Sequence, residues 1–270
     1  MTTVQAGNVS FSNAGPLALI AGPCVIESEQ HVHAMVKIIQ AAVGSFVFKA
    51  SFDKANRSSV KSYRGPGLTE GVRILKTVQK LGIPVLTDVH ETSQVEAVAE
   101  GVDILQIPAF LCRQTDLLVA AGRTGRAVNI KKGQFVSPGE IGHAAEKVAS
   151  TGNHNIILTE RGSSFGYNNL VVDMRGLKIM EQTGYPVVFD ATHSVQLPGA
   201  AGSSSGGQPQ FIEPLARAAT AMGIAGLFVE VHDHPESALS DGANALRSSL
   251  LPKFWERLTA LDRLVKSWST

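Results

Sequence analysis

Phe46-Val47-Phe48-Lys49-Ala50-Ser51-Phe52-Asp53-Lys54-Ala55-Asn56-Arg57-Ser58-Ser59 sets an apolar run directly against a basic, hydroxyl-rich one. The run Phe46–Ala50, bounded by Gly44, reads as a buried strand. Lys49, Lys54 and Arg57 then fall within nine residues, with Asn56, Ser58 and Ser59 beside the arginine. The planar fork of an arginine, the point charge of a lysine and neighbouring hydroxyls together suit a phosphate or a carboxylate. Because Lys49 follows the strand at once, a rigid element would hold its ammonium. The loop reads as an anion cradle.

The same strand–loop–helix unit recurs on both sides of this stretch. Upstream, Leu17–Ala21 is an apolar strand closed by Gly22-Pro23, and Ser28 caps a helix running to about Val43. Downstream, Thr69–Leu81 is helical and ends at Gly82. Strands follow at Ile83–Thr87, Asp103–Ile107, Ala127–Ile130, Asn155–Thr159, Pro186–Phe189 and Gly226–Val231. Helices alternate with them at Thr92–Glu100, Thr115–Ala121, Pro138–Ala149 (capped by Ser137), Met174–Gln182, Ile212–Met222 and Leu250–Ser267. Eight β–α units in 270 residues predict one closed (β/α)8 TIM barrel, spanning 17–270. Residues 1–16, weakly alternating around Gly7-Asn8, predict an N-terminal β-hairpin extension. No Gly-x-Gly-x-x-Gly follows the first strand, which disfavours a dinucleotide fold.

Composition narrows the class. Hydrophobic residues make up 44% and charged residues 17%, enough to bury a sizeable core. A net charge of +1 without long basic runs argues against a nucleic-acid partner. No apolar run reaches membrane-spanning length, Met1–Asn13 has no signal-peptide pattern, and the two cysteines imply no disulfide framework. The expectation is a cytoplasmic protein without membrane association.

In such barrels the active site lies at the C-terminal ends of the strands. The residues found there form a polar rim: Cys24; Lys49, Lys54, Asn56, Arg57 and Ser58; Asp88 and His90; Gln106, Ala109 and Arg113. The later strands add Asn129, Lys131 and Lys132; Glu160 and Arg161; Asp190 and His193; Glu230 and His232. The cations Lys49, Lys54, Arg57, Arg113, Lys131 and Arg161 would repel one another unless more than one anionic group is bound. Cys24, His193, Glu230 and Asp241 are of types that suit a divalent transition metal, with Cys112 an equal rival of Cys24 at this level. His31, His33, His143 and His154 fall on predicted helices or the wrong face and read as surface or packing residues. The glycine- and serine-rich 199–207, after the seventh strand, reads as a lid over the site.

Several of these stretches closely resemble the 3-deoxy-D-manno-octulosonate 8-phosphate (Kdo8P) synthase family. They are Lys49–Ser59, Tyr63-Arg64-Gly65-Pro66-Gly67, Thr87-Asp88-Val89-His90-Glu91, Pro108–Asp116 and Phe165-Gly166-Tyr167-Asn168-Asn169-Leu170. The likeness runs through essentially the whole chain. It implies condensation of phosphoenolpyruvate with D-arabinose 5-phosphate and water, giving Kdo8P and phosphate for lipopolysaccharide biosynthesis. The related 3-deoxy-arabino-heptulosonate 7-phosphate (DAHP) synthases carry Lys-Pro-Arg-Thr where this chain has Lys54-Ala55-Asn56-Arg57-Ser58. Two alternatives are a DAHP synthase using erythrose 4-phosphate and a non-catalytic barrel that binds sugar phosphates.

Carried over by resemblance, Lys131, Arg161 and the Ala109 backbone hold the phosphoenolpyruvate phosphate, and Lys49, Lys54 and Gln106 address its carboxylate end. Asn56, Arg57 and Ser58 hold the sugar phosphate, Arg113 reaches across from a neighbouring subunit of a homotetramer, and Asp88 contacts the sugar hydroxyls. The family divides into metal-dependent and metal-independent branches, chiefly by Cys or Asn at one position. Gly22-Pro23-Cys24 carries the cysteine. The resemblance therefore implies the metal-dependent branch, with Cys24, His193, Glu230 and Asp241 holding iron, zinc, manganese or cobalt. A water at the metal, His193 and Asp241 all stand as candidates for the group that takes the proton from the attacking water.

Overall fold

The computed structural model describes residues 2–57, 59–199 and 206–268. The hairpin strands β1 (Val4–Ala6) and β2 (Val9–Phe11) pair antiparallel, Val4 opposite Phe11. Then come β3 (Ala18–Gly22), α1 (Glu29–Val43), β4 (Val47–Lys49), α2 (Leu68–Gln79), β5 (Val85–Asp88), α3 (Thr92–Ala99) and β6 (Ile104–Ile107). They are followed by α4 (Thr115–Arg123), β7 (Ala127–Lys131), α5 (Ile141–Ala149) and β8 (Ile156–Glu160). A small hairpin, β9 (Ser163–Ser164) with β10 (Leu170–Val171), precedes α6 (Arg175–Glu181) and β11 (Val187–Asp190). A second, β12 (Gln196–Leu197) with β13 (Gly206–Gly207), precedes α7 (Ile212–Ala221). The chain ends with β14 (Gly226–His232), β15 (Leu246–Arg247) and α8 (Leu251–Ser267).

Strands β3, β4, β5, β6, β7, β8, β11 and β14 pair in parallel in that order, and β14 returns to β3 with Phe228 opposite Ile20. The sheet is thus the closed (β/α)8 barrel that the alternation predicts. Closure leaves no exposed sheet edge.

Two apolar layers follow from the alternation of side chains across each strand. Outward residues such as Leu19, Phe48, Val85, Leu105 and Leu227 meet the helices in one continuous core. Inward residues Ile20, Val47, Leu86, Ile104, Ala127, Ile157, Val188 and Phe228 fill the barrel axis. Val4, Ala6, Val9 and Phe11 of the hairpin pack on that inner layer, so the extension plugs the barrel. Asn13 locks the link, since its side-chain oxygen accepts from the Val187 amide at 2.9 Å and its amide nitrogen donates to the Tyr185 carbonyl.

Local rules account for most boundaries. Ser28 caps α1 as expected, its hydroxyl accepting from the His31 amide at 3.1 Å. Ser137 does not cap α5. The helix starts at Ile141, and the Ser137 hydroxyl instead donates to the Glu140 carboxylate at 2.9 Å. The same carboxylate oxygen accepts from the Ser137 amide at 3.1 Å. Gly22 has φ +156, and a Cβ there would lie 2.0 Å from the Lys49 carbonyl oxygen, so β3 and β4 can meet at the rim only with glycine at this place.

Candidate active site

The rim is a continuation of the barrel's inner layer. Two residues beyond each inward apolar side chain, the same face of the strand carries Gly22, Lys49, Asp88, Gln106, Asn129, Thr159, Asp190 and Glu230. In seven of the eight strands, all but β3 with its Gly22, the inward row therefore switches from apolar to polar at one height around the barrel. Above this polar layer opens a cavity of about 1000 Å³. Of the residues expected to line it, the structure brings together Lys49, Lys54, Asn56, Arg57, Asp88, Gln106, Ala109, Lys131, Arg161, His193 and Asp241. Ser58 and most of the expected lid, 200–205, lie outside the described residues.

The cations differ in how far the protein satisfies them. Lys49 donates to Glu230 Oε1 and to the Cys24 carbonyl, both at 2.7 Å. Lys131 is paired with Asp190, and its Nζ sits 3.5 Å from the centroid of the Phe228 ring. Burial draws the Lys131 ammonium below its ordinary range, opposed by Asp190. Burial also depresses Lys54, but the charges of Cys24, Glu230, Asp88 and Asp241 outweigh it and hold that ammonium above its usual value. Arg161 donates through Nη2 to Gln196 Oε1 at 2.6 Å. Arg57 approaches Asp241 Oδ1 through Nη1 at 3.4 Å and donates through Nε to the Tyr63 carbonyl. Among the described residues, Arg161 Nη1 and Arg57 Nη2 are buried without a hydrogen-bond partner. Such groups are costly unless something else satisfies them, and both side chains line the cavity.

The carboxylates are held ionised. Burial pushes Asp88 upward, yet His90, with Nε2 3.0 Å from Asp88 Oδ2, together with Lys54 and Lys49, holds it well below the usual carboxylate range. His90 is raised in turn, Asp88 overcoming the effect of burial. Glu230 falls to about 2 because His193, Lys49 and Lys54 outweigh its burial. Beneath them, Thr159 donates to Asn129 and Asn129 donates to the Gln106 side-chain oxygen, fixing Gln106 in the floor.

Cys24, Glu230 and Asp241 bring one ligand atom each to within 4.8 Å of one another. His193 stands beside this set, its Nε2 3.5 Å from Glu230 Oε1. Its Nδ1 lies 2.7 Å from Asp190 Oδ2, an outer carboxylate that leaves Nε2 free to ligate. Asp241 is held in left-handed backbone geometry (φ 47), a conformation unusual for a non-glycine residue. Glu230 Oε2 is buried and has no hydrogen-bond partner among the described residues. One thiolate, one imidazole and two carboxylates fit a borderline divalent transition metal, and the orphaned oxygen supports that fit. Burial, then Asp241 and Glu230, pushes the Cys24 thiol up to about 12, so metal binding there must displace its proton. Cys112 is buried outside this cluster.

Arg113, expected to reach a neighbouring subunit, is exposed and does not line the cavity of its own chain. Other expectations need correction. Lys132 does not line the cavity; it is fully buried, donating to the Gly133 and Val136 carbonyls. His232 turns away from the cavity toward Glu27 and Asp233. His31, expected as a surface or packing residue, is partly buried outside the cavity and hydrogen-bonded to Asp233, which leaves that expectation standing. Gln196, which orients Arg161, and Ser240, whose hydroxyl lies 2.8 Å from Cys24 Sγ, were not expected in the site. Their signal was adjacency: each lies within three residues of an expected ligand, His193 or Asp241.

A family model described as the DAHP synthetase I family matches residues 2–267. A protein of Syntrophotalea carbinolica named 2-dehydro-3-deoxyphosphooctonate aldolase is 59% identical, the alignment covering 98% of this chain and 97% of the relative. Proteins of the same name from Geotalea uraniireducens and Citrifermentans bemidjiense are 57% and 56% identical, each over 97% of this chain and 98% of the relative.

Proposed function

The chain belongs to the DAHP synthetase I family, and on that premise we propose which member's chemistry it performs. It is an aldol-type transferase that condenses phosphoenolpyruvate with D-arabinose 5-phosphate and water, releasing 3-deoxy-D-manno-octulosonate 8-phosphate and inorganic phosphate. The name of its relatives specifies an eight-carbon product, the sum of a three-carbon enol and a five-carbon aldose. The observation that carries this reading is the pair of orphaned guanidinium nitrogens, Arg57 Nη2 and Arg161 Nη1, on two separate cavity loops. Two phosphorylated substrates would satisfy them.

In this reading Arg161, Lys131 and the Ala109 backbone receive the phosphoenolpyruvate phosphate, and Lys49, Lys54 and Gln106 its carboxylate. Arg57, Asn56 and Ser58 receive the sugar phosphate. The free Oδ1 of Asp88 accepts from a sugar hydroxyl, while His90 occupies Oδ2. These contacts fix C3 of the enol against the aldehyde carbon, converting a bimolecular step into an oriented one. C3 attacks the aldehyde, water adds at the C2 made electron-poor by that attack, and C–O cleavage expels phosphate. Cys24, His193, Glu230 and Asp241 would hold a divalent iron, zinc, manganese or cobalt ion, which supplies Lewis-acid polarisation and orientation of the aldehyde or water. Asp190 orients His193 and neutralises Lys131.

Arg113, exposed on its own chain, would reach a neighbouring site in a homotetramer. No helix among the described residues is long and apolar enough to cross a membrane, in keeping with a cytoplasmic enzyme of lipopolysaccharide synthesis. The direct test is a phosphate-release assay with phosphoenolpyruvate and either arabinose 5-phosphate or erythrose 4-phosphate. Release should require both substrates and favour the pentose; a preference for the tetrose would transfer the chain to DAHP synthesis.

A further inference from the structure

Where β14 ends and α1 begins, a second set of metal-ligand side chains meets outside the cavity. Glu27, His31 and His232 each bring one ligand atom to within 4.8 Å of the others, and none of them belongs to the Cys24 cluster. His232 is buried, and the side chains of His31 and Glu27 are only 15% and 18% exposed. The two imidazole centroids stand 4.6 Å apart.

The arrangement is more than proximity. Oδ1 of Asp233 lies 3.0 Å from Nε2 of His31 and 3.1 Å from Nδ1 of His232, so one carboxylate faces the outer nitrogen of both rings. The inner nitrogens face Glu27. His31 Nδ1, buried and without a hydrogen-bond partner among the described residues, is 4.0 Å from Glu27 Oε2, and His232 Nε2 is 3.2 Å from Glu27 Oε1. A carboxylate behind each imidazole, fixing its tautomer and raising its basicity, is the outer-shell arrangement that ligating histidines require.

We propose that Glu27, His31 and His232 form a second divalent transition-metal site, with Asp233 positioning both imidazoles. Two imidazoles and a carboxylate suit zinc, cobalt(II) or nickel(II), with water completing the coordination. Without metal, the His234 amide lies 3.0 Å from His232 Nδ1 and 3.1 Å from Asp233 Oδ1. Binding at His232 Nε2 moves that ring's proton to Nδ1, where it donates to Asp233, and the His234 amide retains Asp233 as acceptor. Glu27 Oε1 also accepts from the Leu239 amide at 2.8 Å, so the site would clasp the segment leading to Asp241.

Cobalt(II) is the probe, because thiolate ligation at the Cys24 centre has a near-ultraviolet charge-transfer band that a site of imidazole and carboxylate lacks. Equilibrium dialysis of the full chain should give about two cobalt ions per chain, and Cys24→Asn about one, without that band. Adding His31→Gln, or Glu27→Gln should that double variant not fold, should remove the remaining ion and the cobalt-dependent rise in melting temperature. Asp233→Asn in the Cys24→Asn background should weaken binding by about 10- to 100-fold. Loss of all cobalt in folded Cys24→Asn, or undiminished binding in the double variants, would overturn the site without bearing on the condensation.

Discussion

His193 Nδ1 lies 2.7 Å from Asp190 Oδ2, and the same carboxylate holds Lys131, so one buried side chain supports both the candidate metal ligand and a cation proposed to bind phosphate. Burial would raise Asp190, but His193 and Lys131 hold it well below the usual carboxylate range. Asp190→Asn should weaken metal binding by about 10- to 100-fold through its loss as outer partner of His193. Breaking the buried pair with Lys131 should also cost about 3–5 kcal/mol of stability. Metal titration and urea unfolding of the same preparation separate the two effects.

Arg57 and Arg161 should divide the substrates between them. Each presents a guanidinium nitrogen with no partner among the described residues, and a charge-assisted hydrogen bond is worth about 1.5–3 kcal/mol. Arg57→Ala should raise KM for arabinose 5-phosphate about 10- to 100-fold while sparing that for phosphoenolpyruvate, and Arg161→Ala should do the reverse. Steady-state kinetics with each substrate varied in turn reads the split, and equal effects on both would undo the assignment.

Prolonged chelation should abolish condensation, and divalent iron, zinc, manganese or cobalt should restore it. Metal content and phosphate release, followed together, check this. Full activity in chelated protein shown to be metal-free would remove the metal from the reaction.

The Asp88–His90 pair sets a pH window for stability. His90 is raised in the fold, so its contribution is complete below its unfolded pKa of about 6.5 and is lost as pH climbs through the folded value. Asp88 is lowered, so its contribution is present above its unfolded pKa of about 3.9 and is lost as pH drops through the folded value. The gap in unfolding free energy between wild type and Asp88→Asn should therefore be widest between about pH 4 and 6.5. Denaturant titrations across that range, and above it, test the shape.

Phe11→Ala in the hairpin should cost about 3–5 kcal/mol, because its ring is fully buried against the barrel's inner layer. A urea midpoint unchanged from wild type would mean that the hairpin only rests on the barrel.

The barrel was legible in the sequence because short apolar strands alternate with helices of regular period, and closure is the economical way to bury eight parallel strands. The rim was legible because ionisable residues interrupt those strands at their C-terminal ends. Partnership was not. Lys131 and Asp190 are 59 residues apart, and no local pattern announces their contact. His232 was misplaced for the same reason: its partner Glu27 is 205 residues away in the chain, and no local pattern announces that contact. Ser137 looked like a cap because the carboxylate that engages it, Glu140, sits where the helix was expected already to have begun.

The two-residue step from apolar layer to polar layer makes strand register the address of every floor residue. A one-residue slip in β14 would present Val229 or Val231 to the cavity in place of Glu230. Substitutions on the helical shell leave that address alone, so the outside of the barrel can vary freely while the chemistry stays put. Conversely, a new reaction could be installed by rewriting one position per strand, with the packed layer beneath left as it is.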